Sequence, residues 1–140
     1  MADQDEEPDY ALEYLLGYDG LIHWLNNGYF LKFEIRRVDP EELRPHGVRY
    51  SLSLHDASGK RILGFDNAHP VKHPGRAGRR AKTADHWHRT GSDEGRPYSY
   101  RGADKLLEDF FVEVRRVLAE RGVSEEVVSV EDRRSDETED

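Results

Sequence analysis

The stretch "DHWHR" sets Asp85, His86, Trp87, His88 and Arg89 side by side. In extended backbone, residues two apart point the same way, so His86 and His88 share one side and Trp87 the other. With Trp87 anchored to a core, both imidazoles would face one groove, with Asp85 orienting one ring. Two such rings can divide the work on a phosphodiester. One takes the proton of a ribose 2′-hydroxyl, the other protonates the leaving 5′-oxygen, and Arg89 steadies the charged transition state. Histidine suits both jobs because its unperturbed pKa of about 6.5 supplies both protonation states near neutrality. Upstream, Asp66, Asn67 and His69 sit where Pro70 ends a strand, and a loop folding back would add Asp66 or His69 as third participant. The same residue types, His-X-His plus a third His or an Asp, also make a ligand set for zinc or a similar ion. The acid–base chemistry needs neither metal nor cofactor. A His-X-His pair in a polar loop is also commonly plain solvated surface. His46 and His55 read as surface, and His23 as a packed or edge histidine.

Charge separates along the chain. The formal net charge of −8 over 140 residues hides acidic ends, with seven acids and no base in residues 1–19, and eight acids against two Arg in 123–140. Residues 20–122 are therefore net +5, and from Lys72 to Arg101 eight cations face three acids. Such a patch fits a polyanion, RNA here. Arg79, Arg80, Lys82 and Arg89 are its candidate phosphate contacts, and Tyr98 and Tyr100 offer stacking faces for bases. The two tyrosines equally fit a strand running into a helix, with packing as their role. Without cysteine the chain has no disulfide and no thiolate ligand. It shows neither an apolar run of membrane length nor a basic leader, so a cytoplasmic protein without membrane contact is expected.

The elements that must hold these residues are periodic. Around Asn26-Asn27-Gly28 two β-rich runs predict a hairpin. Tyr29, Leu31, Phe33 and Ile35 alternate with Lys32, Glu34 and Arg36; Val48, Tyr50, Leu52 and Leu54 alternate with Arg49, Ser51, Ser53 and His55. A turn at "ASGK" then leads into "RILGFDNAH". This is an antiparallel meander with one wet face. Ala103, Leu106, Leu107, Phe110, Phe111, Val114, Val117 and Leu118 form one helical stripe that Gly122 ends. The expected fold is α+β, an antiparallel β-meander packed against one long C-terminal α-helix. It forms a single domain over 10–122, flanked by disordered acidic tails at 1–9 and 123–140. Pro70 to Pro97 shows neither strand nor helix periodicity.

In this order, "YSLSLHDASGKRILGFDNAH", "DHWHR" and "YSYRGADKLLEDFFVEV" resemble the TumE-like family of small toxins from prokaryotic toxin–antitoxin pairs, from about Tyr29 to Arg121. The family's motifs match at Phe65, Asp66 and Asn67 and at Asp85, His86 and His88, although Phe65 stands where Tyr is more usual and the spacer is long. The resemblance implies a growth-inhibiting toxin of a type II pair, held in check by a cognate helix-turn-helix antitoxin. Joined to the imidazole argument, it gives the expectation of a His-dependent endoribonuclease. A non-enzymatic toxin that blocks a target through its basic loop, and a metal-dependent phosphoryl-transfer enzyme, are the alternatives.

Overall fold

The computed structural model describes residues 9–68, 85–89 and 95–134. His69, Arg79, Arg80 and Lys82 lie outside the described residues. Helix α1 (Tyr10–Leu16) leads into β1 (Leu21–Leu25), β2 (Phe30–Arg37), β3 (Val48–His55) and β4 (Arg61–Asp66). Then follow β5 (His86–His88), β6 (Arg96–Pro97), α2 (Ala103–Arg121) and β7 (Val127–Asp132). All seven strands join one antiparallel sheet in the order β6-β5-β4-β3-β2-β1-β7. The expected α+β meander on a long C-terminal helix is the observed fold, with α1 as an addition.

Local chemistry explains the joints. Asn27 and Gly28 both take positive φ, at 65° and 80°, and close the β1–β2 turn with Leu25 N–H donating to Tyr29 O. Asp56 Oδ1 accepts from the Ser58 and Lys60 amides, each at 3.0 Å, and so builds the β3–β4 turn. Gly122, at φ 70°, ends α2 in the left-handed conformation.

One face of the sheet carries Leu31, Phe33, Ile35, Val48, Tyr50, Leu52, Leu54 and Phe65, all buried against the stripe of α2. Phe110 meets Phe33 and Phe65 edge-on, with ring centroids 6.0 and 5.8 Å away. The 19 residues of α2 rise about 28 Å, close to the roughly 29 Å width of a seven-stranded sheet. One helix therefore suffices to carry the chain from the β6 edge to the β7 edge.

One expectation is corrected. Residues 127–132, read as part of a disordered tail, form β7 on the open edge of β1. Trp24 Nε1 donates to Glu131 Oε1 at 3.2 Å, and Arg133 N–H to Gly20 O at 2.9 Å. Backbone pairing rather than burial places it there, since all six of its residues are exposed. Within the stretch read as lacking periodicity, residues 86–88 and 96–97 are strands, too short to show any.

Candidate functional site

Strand β5 lies beside β4 with Asp66 opposite His86, Phe65 opposite Trp87 and Gly64 opposite His88. Trp87 stacks on Phe65, with centroids 5.4 Å apart, on the face that α2 covers. Alternation then sends His86 and His88 to the other face, where Asp66 also points. His86 Nε2 stands 3.4 Å from Asp66 Oδ1, and the two imidazoles sit 4.7 Å apart and nearly perpendicular. Asp66 and His86 are buried and His88 half-buried, so the trio opens to solvent on the His88 side. Arg61 Nη1 approaches Asp66 Oδ2 at 3.9 Å. Asp66 Oδ1 is buried yet accepts no hydrogen bond among the described residues, because the 3.4 Å approach of His86 lacks the geometry of one.

Gly95, which the sequence reading passed over, supports both rings. At its φ of 95°, a Cβ there would fall 2.7 Å from His88 Cε1 and 3.3 Å from His86 Cδ2. Only glycine lets the backbone pass so close to the imidazoles. Its one sequence signal is a glycine at the end of a polar run.

Asp85 goes elsewhere. It accepts from the Tyr50 hydroxyl at 2.7 Å and faces His46 Nε2 with both oxygens, at 3.1 and 3.2 Å. This buried tie lies on the helix side of the sheet, where Tyr50 is packed. Burial first, and then the charge of Asp85, push the Tyr50 hydroxyl far above the usual tyrosine range. His46, read as surface, is half-buried and packs on Tyr100 at 4.0 Å. No local pattern reveals such a pairing across 39 positions. His55, also read as surface, stacks on Phe30 at 4.6 Å.

The other expected site residues separate too. Asn67 is buried and bound into the sheet, Oδ1 accepting from Tyr50 N–H at 2.9 Å and Nδ2 donating to Val48 O at 2.7 Å. Arg44 clamps the same strand end by donating to the carbonyls of Asn67 and Ala68. Arg89 pairs with Glu120 of α2, and Tyr98 donates to Asp109 of the same helix at 2.7 Å, so both stand on the helix side. Burial raises the Tyr98 hydroxyl well above its usual range and that of Tyr100 to about 12.

The solvent face beyond the trio is basic. A groove of about 610 Å³ is lined by Lys32, Glu34, Arg36, Arg49 and Ser51, with Arg133 at its far side. Ser51 is also the register partner of Asp66, so one row of opposed residues, Glu34, Ser51, Asp66 and His86, runs from the groove into the trio. Arg36 and Arg49 stand directly opposite each other, both exposed. Like charges so placed repel.

No helix among the described residues is long and apolar enough to cross a membrane. Comparison with curated proteins and with solved structures finds no match. The family model described as "Toxin TumE" matches residues 5–118, which hold the whole meander, the trio and most of α2. The chain belongs to the TumE toxin family.

Proposed function

We propose that this toxin is one half of a type II toxin–antitoxin pair, checked by a helix-turn-helix antitoxin, and that it acts on RNA as a His-dependent endoribonuclease. One observation carries the reading: two imidazoles 4.7 Å apart, with a carboxylate beside one of them, share the solvent face of the sheet. One imidazole takes the proton from a ribose 2′-hydroxyl, whose oxygen then forms a bond to phosphorus. The other gives its proton to the 5′-oxygen as the P–O5′ bond breaks, leaving a 2′,3′-cyclic phosphate. Asp66, with its Oδ1 3.4 Å from His86 Nε2, offsets the positive charge that ring acquires. The groove beside them supports the choice of polymer, since Arg49 lines it one strand away from Asp66 and Arg36 and Lys32 two strands away. Arg89 and Asp85, turned to the helix side, take positioning roles in place of the phosphate and orienting roles read from sequence.

The test is expression without an antitoxin, scoring growth arrest and RNA cleavage. His86→Ala and His88→Ala, each shown to fold, should lose both, and wild-type cleavage should follow a bell-shaped pH profile. Full toxicity in both folded variants would overturn the catalytic reading and leave a toxin that acts by binding alone.

A further inference from the structure

We infer that Asp66, His86 and His88 form a binding site for a zinc-class divalent metal ion. The three residues offer two ring nitrogens and one carboxylate oxygen, all within 4.8 Å of one another. That donor set suits zinc, cobalt and their neighbours, and three protein ligands leave a coordination position for water or substrate.

Two further observations point to a cation. Asp66 Oδ1 is buried in a residue that is only 5% exposed, and it accepts no hydrogen bond among the described residues. A buried carboxylate oxygen without a donor is costly, and an ion seated before it removes that cost. Next, the 3.4 Å between Asp66 Oδ1 and His86 Nε2 is long for a hydrogen bond. It equals the separation of about 3.3–3.4 Å expected of two ligands sharing one tetrahedral zinc with bonds of roughly 2.0–2.1 Å. His88, half-buried and on the open side, brings the third ligand atom within 4.8 Å of the other two. Gly95 leaves its ring room beside that of His86.

Binding itself does not depend on ribonuclease activity. Its consequence does rest on the proposed function: an ion on both imidazoles occupies the nitrogens that proton transfer needs, so zinc would silence acid–base cleavage.

The experiment is calorimetric titration of Zn²⁺ into the full chain after chelator treatment, with Co²⁺ absorption in the visible as a second readout of the ligand set. One equivalent should bind, at least about tenfold more weakly in Asp66→Asn and in His88→Ala. His55→Gln, which changes a histidine outside the trio, should bind as wild type. His88→Ala keeps the test sound if Asp66→Asn fails to fold. Absence of saturable binding, or binding undiminished in both trio variants, would overturn the site. A cleavage assay separates this result from the proposed function. Inhibition by Zn²⁺ agrees with both, whereas a requirement for Zn²⁺ would leave the metal site standing and overturn the acid–base roles.

Discussion

Asp85 and His86 are consecutive in the chain and serve opposite faces of one sheet. Asp85 accepts from Tyr50 at 2.7 Å beneath α2, while His86 stands 3.4 Å from Asp66 on the solvent face. The pleat of a strand forces that divergence, because successive side chains leave it on opposite sides. The two aspartates, both expected beside the imidazoles from sequence, therefore part company. Asp66 stands beside the imidazoles, and Asp85 ties the start of β5 to β3 and to His46.

Tyr50→Phe should accordingly damage stability and spare chemistry. It leaves the buried Asp85 carboxylate without its shortest donor, at a cost of about 1–3 kcal/mol. Urea unfolding should show that loss, while RNA cleavage per folded molecule stays near wild type. Loss of cleavage with unchanged stability would instead place the Tyr50–Asp85 pair in the reaction.

The strength of the sequence signal tracks its periodicity. Leu31, Phe33 and Ile35, or Leu106, Leu107 and Phe110, repeat at the period of their element and bury as that period requires. Strands β5 and β6, of three and two residues, are too short for any period, and β7 buries none of its valines. Its place depends on the free edge of β1, a partner about 105 positions away. The site was half legible for the same reason. The His-X-His spacing put His86 and His88 on one face, but placing Asp66 rather than Asp85 beside them needed the register of β4 on β5. The Arg36–Arg49 pair needed that of β2 on β3.

Removing residues 124–140 should uncover the β1 edge. The lost strand carries backbone pairing and the Trp24–Glu131 hydrogen bond but no buried side chain, so a fall of a few degrees is expected, about 3–5 °C for each kcal/mol lost in a chain of this size. The bare edge should also favour pairing between chains, seen as concentration-dependent mass in light scattering. An unchanged melting temperature in a strictly monomeric truncation would show that β7 contributes nothing to the fold.

Arg36 and Arg49 stand opposite each other, with no ion-pair partner among the described residues. Replacing both with alanine removes a repulsion, so stability should hold or rise slightly. RNA affinity should fall, and the slope of log K against log salt should shrink by about 1.4, the value for two cations on single-stranded RNA. An unchanged slope would move the RNA path off this face.

Acid should destabilise the fold through His23 and His55. Desolvation lowers both below the ordinary 6.5, against Phe33 and Tyr18 for His23 and against Phe30 for His55. Around His55, Lys32 and Arg61 push the same way, while the Gly59 carbonyl and Asp56 oppose them. A neutral His55 ring satisfies its neighbours, with Nδ1–H donating to Gly59 O at 3.1 Å and Nε2 accepting from Ser53 Oγ at 2.9 Å. With folded values below the unfolded one, the unfolded chain binds more protons as pH drops beneath about 6.5. Stability is thus full above that point and declines as pH falls toward the folded values. Melting temperature should drop between pH 7.5 and pH 5, and His55→Gln, which cannot titrate, should show a shallower drop than wild type. Parallel curves for the two proteins would mean that His55 plays no part in the acid sensitivity.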